Sequence, residues 1–397
     1  MIPEARKFFN TNFSEEKYQA FLADITAQYN HRPPFRISES PVFVGNDLKL
    51  KIFEACDDII SVITAPGFKE ETQRFIMPEF ETPGESDHNL FLQFDFGICQ
   101  LPDGTLSPKL IELQGFPTLY FYQDLVANMY RNHFDIPEYY SHLFGGLNSE
   151  TYGQLMKEVI VGDEDPKNVI LLEIEPDIQP TQIDFWCTSG ALGIKTLCIT
   201  DLKKSGRDLY YLDEQGKKIE VRRIYNRVIF DELIGRKDLK REFYFRDEVD
   251  VKWIGHPNWF FRVSKSTLPL LKGDYVPKTY VLGALDKIPE DLQNYVLKPL
   301  YSFSGSGVVY NVTQANIDAI HDRNNFVLQE KVTYSPVIKS LDDNIKCEIR
   351  MILIWKDGKS RPFLVNNLAR MSKGEMIGVK YNKDKTWVGG SVGFFEK

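Results

Sequence analysis

Two kinds of apolar spacing divide the chain. From Ser14 to Tyr29 the apolar residues fall at Tyr18, Phe21, Leu22, Ile25 and Tyr29, the three-to-four spacing of one helical face. Ser14 stands where a helix N-cap belongs, and Glu15 and Glu16 follow where the positive end of the helix dipole favours acids. Asn46-Asp47 opens a second such stretch through Leu48, Ile52, Cys56, Ile59, Ile60 and Ile63. Residues 1–87 therefore read as a helical region with irregular links, in which His31 and the Arg32-Pro33-Pro34 turn are structural. From Leu90 the texture changes to strand-like runs. Leu90–Cys99 (LFLQFDFGIC) and Lys109–Leu113 (KLIEL) flank a Pro102-Asp103-Gly104 turn, the pattern of a β-hairpin with Asp95 on one arm and Glu112 on the other. Thr118 is then placed to cap a helix running to about Tyr130.

Residues 151–260 alternate between strand and helix signals, as in an α/β unit. Strands are expected at Asn168–Ile174, Lys195–Thr200, Tyr210–Leu212 and Glu220–Ile224, with a helix over Thr181–Leu192 closed by Gly193. Ser264-Lys265-Ser266 begins a further helix. Beyond residue 275 the order is β-α-β-β-β, with a helix over Asn311–Ile320, a strand over Phe326–Val332, and a hairpin of Cys347–Trp355 and Arg361–Val365 about Asp357-Gly358.

One stretch carries chemistry. Tyr295–Val309 (YVLKPLYSFSGSGVV) reads as a buried strand ending in Lys298, a loop of Ser302, Ser304, Gly305, Ser306 and Gly307, and a return strand at Val308–Tyr310. Small residues let backbone N–H groups and hydroxyls approach a polyanion closely, and the lysine supplies countercharge. The phosphate chain of a nucleotide fits this description, although a plain serine/glycine turn has the same composition. Neither the Walker string nor the dinucleotide glycine fingerprint is present.

Asp95 and Glu112 raise a second question, because an acid buried in an apolar strand without compensation costs several kcal/mol. An arginine partner, backbone N–H groups or a hard divalent cation would each serve. With the amide oxygen of Gln114 they form an oxygen-only set suited to Mg2+.

Composition narrows the partners. The chain has 397 residues and a net charge of -8, without the basic field that nucleic-acid binding asks for. No apolar run approaches the roughly 18 residues of a membrane span, and the opening MIPEARKFFN lacks a signal peptide's apolar core. The five cysteines are scattered, with no CxxC pair, and read as small hydrophobes in a reducing cytoplasm.

Lys298, the Ser/Gly loop, the strand ending Gln329-Glu330-Lys331 and the later Arg370 occur in the order found in ATP-grasp enzymes. The acidic metal-binding set lies upstream, as Asp95 and Glu112-Leu113-Gln114, so the chain resembles the circularly permuted ATP-grasp branch typified by the synthetase domain of glutathionylspermidine synthase. Gln93-Phe94-Asp95-Phe96 resembles that family's Arg-Phe-Asp-Phe segment, with Gln93 in place of the arginine. Glu112-Leu113-Gln114 resembles its Glu-x-Asn, with Gln114 in place of the asparagine. Ser264-Lys265 and Lys298-Pro299-Leu-Tyr-Ser302-Phe-Ser-Gly305 resemble its helix start and its loop.

The resemblance implies an α+β, multidomain ATP-grasp fold with a Rossmann-like unit. Residues 1–87 would be the helical region and 88–150 the metal-ligand hairpin with its helix. Residues 151–260 would form the α/β unit and 261–397 the nucleotide-binding region. It also implies a carbon–nitrogen ligase joining a small-molecule or peptide carboxylate to an amine with ATP and Mg2+. Asp95, Glu112 and Gln114 would hold the metal. Lys265, Lys298, Ser302, Ser304, Gly305, Ser306 and Gly307 would hold the phosphates. Gln329, Glu330 and Val332 would hold adenine and ribose, and Arg370 would serve catalysis. A kinase that stops at phosphorylation and a non-catalytic nucleotide-binding relative are the competing expectations.

Overall fold

An antiparallel sheet that takes strands from both halves of the chain organises the molecule. The computed structural model describes residues 1–302, 305–378 and 382–397. The sheet runs in the order Gly389–Ser391, Phe363–Ser372, Asn344–Ile354, Phe91–Gln100, Leu106–Gln114. The predicted front hairpin is thus a structural neighbour of the predicted rear hairpin. Asn344–Ile354 pairs Arg350 with Asp95 and Glu348 with Gly97 on one side, and Glu348 with Arg370 on the other. Because side chains alternate along a strand, one sheet face collects Gln93, Asp95, Glu112, Gln114, Glu348, Arg350 and Arg370. Phe94, Phe96, Ile349, Met351 and Ala369 take the other face and are fully buried.

Helices Asn46–Ile63 and Tyr120–His133 pack on this sheet, the second also lying against Glu15–Tyr29 and Gln182–Leu192. Ser14 caps Glu15–Tyr29 as its side chain suggested, accepting from the Lys17 amide. Thr118 does not cap the helix at Tyr120. Leu119 takes that position with φ +60°, and the buried carboxylate of Asp184 accepts from the amides of Leu119 and Tyr122 instead. The cap comes from another helix, so no local sequence signal announces it.

The α/β unit holds a parallel sheet in the order Lys252–Ile254, Arg223–Asn226, Val169–Glu173, Lys195–Cys198. The expected single strand Glu220–Ile224 is two strands in two sheets. Lys218–Val221 joins an antiparallel set with Lys203–Ser205 and Asp208–Leu212, and Arg223–Asn226 turns into the parallel sheet at Arg222. A smaller sheet, Thr279–Val281, Phe326–Glu330, Tyr295–Pro299, carries the lysine loop. Here the expected helix over Asn311–Ile320 shortens to Gln314–Asp318, started by a Thr313 capping box. The return strand at Val308–Tyr310 reduces to one bridge, Val309 to Leu297.

The first 87 residues are not wholly helical. Val42–Val44 forms a strand parallel to the C-terminal Gly393–Glu396, which also pairs with Tyr140–Ser141. No helix among the described residues is long and apolar enough to cross a membrane.

Candidate active site

The polar face of the central sheet is built by register. Asp95 is 1 % exposed, and its two oxygens accept from Arg350 Nε at 2.5 Å and Nη2 at 2.7 Å, with Arg370 Nη2 also in contact. Of the three ways to compensate a buried strand acid, this one uses arginine. Burial opposes ionisation of Asp95, but Arg350 and then Arg370 outweigh it and hold the carboxyl below its usual range.

Arg370 lies between Asp95 and Glu348, touching both. Glu348 is buried and also accepts from Tyr334 Oη at 2.7 Å. Burial raises its pKa more than Arg370 lowers it. Burial disfavours the Arg370 charge, yet Glu348 and Asp95 together raise its pKa. Next to this knot, Gln114 Nε2 donates to Gln93 Oε1 at 2.5 Å, and Arg350 Nη1 donates to the same oxygen at 3.2 Å. Glu112 is a third exposed and stands 3.9 Å from Arg350 Nη2.

The lysine loop faces this sheet. Lys298 is buried, and its Nζ donates to the Ile111 carbonyl at 2.8 Å, one residue from Glu112. Burial lowers its pKa to about 8, partly offset by Glu112 and reinforced by Lys265. Lys265 opens a short 3-10 turn behind the Ser264 cap, and its Nζ donates to the Ser302 carbonyl at 2.5 Å and to Ser302 Oγ at 3.0 Å. Gly305, Ser306 and Gly307 form an exposed loop, and Ser304 lies outside the described residues. Gly307 has φ +70°, and a Cβ there would meet the Pro299 ring at 2.9 Å, so this position needs glycine.

Gln329 shares the cleft face of the small sheet with Lys298, since Val327 pairs with Lys298 and Gln329 with Val296. Its Nε2 is buried with no partner among the described residues. Glu330 turns its carboxylate to the Lys278 amide at 3.1 Å. Val332 is buried beside Gly97, where an added Cβ would come within 3.1 Å of its side chain.

The structure therefore brings Asp95, Glu112, Gln114, Lys298 and Arg370 to one cleft, with Lys265 and Ser302 joined at its edge. Three participants escaped the sequence reading: Arg350 as a partner of Asp95, Glu348, and Tyr334. Glu348 and Arg350 sit two apart in the apolar run CEIRMILIW, the same signal that marked Asp95. Arg350 does not pair with its neighbour Glu348: it reaches across the strand to Asp95, and Glu348 is met by Arg370 and Tyr334. Among the described residues, no group of three or more His, Cys, Asp or Glu side chains is arranged to hold a metal ion.

Among solved structures, a glutathione synthetase-like effector (GSS30) from Globodera pallida, in its apo form, matches 100 % of this chain and 99 % of its own, with TM-score 0.58 and 11 % identity. The two chains share a fold. A candidate gamma-glutamylcysteine synthetase from Methylobacillus flagellatus KT matches 83 % of this chain and 84 % of its own at 12 % identity, with TM-score 0.38. No protein-family model matches this chain, and no curated protein does.

Proposed function

We propose that the protein is an ATP-dependent carboxylate–amine ligase of permuted ATP-grasp type. Its core would be residues 88–150 with 261–397, joined to the α/β unit 151–260 and the helical region 1–87. The observation that carries this reading is the meeting of two segments far apart in sequence. Lys298 on the loop strand bonds the backbone beside Glu112 on the front hairpin, and Arg370 bonds Asp95 on its other arm. The shared fold with a glutathione synthetase-like protein supports it.

The residues fit a nucleotide. Lys265 and Lys298 would meet the phosphates, the Ser302–Gly307 loop would cover them, and the unpartnered Gln329 Nε2 offers a buried donor to a purine. They fit Mg2+ less fully. Glu112 and the Gln114 oxygen remain as ligands, and Asp95 would join them only if Arg350 or Arg370 let go. A bound divalent ion would neutralise charge on the phosphates.

In the reaction, a carboxylate oxygen of the acid takes the terminal phosphoryl group and ADP leaves. The amine nitrogen then attacks the acyl carbon, inorganic phosphate departs with the C–O bond it held, and the ammonium proton is lost to solvent. Lys298 and Arg370 would position the phosphoryl group and offset its charge, and loop closure would exclude water from the acyl phosphate. The test is ADP release in mixtures of acids and amines, with hydroxylamine added to trap an acyl hydroxamate. ADP release that depends on the acid and yields hydroxamate supports ligation.

One observation favours a second reading. The arginines that hold Asp95 occupy the carboxylate expected to bind metal, as in a relative that binds nucleotide without turnover. Tight ATP binding with no ADP released from any acid and amine pair would select it, and a stable phosphorylated acceptor would select a kinase.

A further inference from the structure

At the end of the central sheet away from the cleft lies a second cavity, of about 850 Å³, within the size range of small-molecule sites. Its walls are one face of helix Pro3–Asn12, Phe43, the turn between Gln100 and Leu106, and the segment 336–341 with Asn344. Gln100 stands five residues past Asp95 on one strand, and Asn344 four residues before Glu348 on the next. At about 3.3 Å per residue the cavity is roughly 15 Å from Asp95 and Glu348, too far for a group bound there to take part in the reaction.

Its lining joins an apolar body to charge of one sign. Ile2, Phe43, Leu106, Pro336, Val337 and Ile338 supply the apolar body. Arg6, Lys7 and Lys339 are its charged side chains, and among the described residues no Asp or Glu lines it, in a chain whose net charge is -8. Asp342 and Asp343, next in the chain to the lining, are turned to Lys373 and to the Asn344 amide. The cations gather at one end. Asn10 lies on the same helix face as Arg6 and Lys7, and its Nδ2 donates to the Lys339 carbonyl at 3.0 Å.

Arg6 sharpens the imbalance. It is 7 % exposed, and its guanidinium donates to Ser40 Oγ at 2.7 Å, the Pro41 carbonyl at 2.5 Å and Asn10 Oδ1 at 3.5 Å, all neutral acceptors. Burial lowers its pKa to about 10, and the side chains that oppose the shift, Tyr130 and Cys347, are not carboxylates. Hydrogen bonds satisfy the donors but leave the charge unmatched, and a buried charge is ordinarily met by an opposite one. A carboxylate would supply that charge, and the rest of the cavity favours an apolar chain withdrawn from water. We propose that this cavity binds a small anionic amphiphile, a single carboxylate on an unbranched apolar chain. The head would sit among Arg6, Lys7 and Lys339, and the chain along Phe43, Leu106 and Val337. Such a ligand would bind whether or not the cleft is catalytic.

The test is calorimetric titration of the full chain with decanoate, decanol and decyltrimethylammonium, each below its micellar concentration. Saturable decanoate binding at one site, at least tenfold tighter than either of the others, is the expected result. Lys7→Gln and Lys339→Gln, combined, should weaken decanoate at least tenfold. Both side chains are exposed, so the ligand-free melting temperature should stay within about one degree of the parent. Lys298→Met, in the cleft, should bind decanoate as the parent does.

Absence of saturable decanoate binding overturns the proposal. Equal binding of all three head groups does so too, because the cations would then select nothing. Parent affinity in the double variant has the same consequence. A loss of decanoate binding in Lys298→Met would put the ligand in the cleft and also overturns it. A chain that sediments with phosphatidylglycerol vesicles but does not bind decanoate would make this face a membrane contact, which again overturns the amphiphile site.

Discussion

At Lys298 the structure sets a group between two demands. Burial lowers its pKa to about 8, while the ligand proposed for it is anionic. An ordinary lysine titrates at 10.5, so between about pH 8 and 10.5 the unfolded chain holds a proton that the folded chain has lost. Stability contributed at this position therefore rises with pH through that window, and the cost of burying the charge is felt in full below pH 8. Binding a phosphate has the opposite sign, because the anion stabilises charged Lys298. ATP affinity is expected to fall toward tenfold per pH unit above pH 8, with proton uptake on binding at pH 8.5 visible in buffers of different ionisation enthalpy. Lys298→Met should flatten this dependence, and an unchanged profile would remove Lys298 from the phosphate site. Asp95 makes a different prediction. Asp95→Ala leaves buried Arg370 with Glu348 alone and buried Arg350 with only the partly exposed Glu112 at 3.9 Å, which is expected to cost about 3–5 kcal/mol in urea unfolding. A loss under about 1 kcal/mol, the worth of an exposed pair, would mean that water already shares this ion pair.

Among the elements, the segment after strand Phe326–Glu330 lies close over the polar face, and Gly97 is where it comes nearest. A Cβ at Gly97 would stand 2.8 Å from the Tyr334 ring and 3.1 Å from Val332. Gly97→Ala should push Tyr334 off Glu348 and destabilise the fold by about 1–3 kcal/mol. Tyr334→Ala in the same background should recover part of that loss. If Gly97→Ala unfolds at the parent urea concentration, the contact is slack. The sequence made the two arms of this site visible but not their pairing. Charge inside an apolar strand marked Asp95 and Glu112, and alternation put them on one face. Asp95 and Arg350 are 255 residues apart, so no local pattern could state that strand Asn344–Ile354 is the neighbour. The same limit hid the Asp184 cap and the strand Val42–Val44, whose hydrogen bonds come from the far end of the chain. Glu220–Ile224 failed for another reason. The run Glu-Val-Arg-Arg-Ile holds no Gly, Pro, Asn or Asp to signal a break, and the break at Arg222 follows from two sheets sharing one run of residues.

For the whole molecule, Arg370 stands where the C-terminal segment is tied to the central sheet by the pairing of Gly389–Ser391, and one buried side chain adds a second tie. Asn367 is fully buried, three residues before Arg370 on strand Phe363–Ser372. Its Nδ2 donates to the His142 carbonyl at 2.9 Å and the Gly393 carbonyl at 3.0 Å, and its Oδ1 accepts from the Gly393 amide at 2.7 Å. Gly393 begins the strand that pairs with Val42–Val44, so this amide joins the N-terminal region, the tail and the sheet that carries the site. Asn367→Ala would strand three buried backbone groups, each worth about 1–3 kcal/mol when left unpaired. The expected loss, about 3–5 kcal/mol after relaxation, is a large part of the 5–15 kcal/mol that usually holds a domain together. Asn367→Asp is the sharper variant. It keeps shape and the acceptor for the Gly393 amide, but removes both donors and adds a buried charge that only neutralisation can relieve. It should unfold at lower urea than the parent at pH 7, and the deficit should shrink toward pH 4 as the new carboxyl takes up a proton. If Asn367→Asp matches the parent at pH 7, the tail is held by strand pairing alone, and Arg370 is positioned without it.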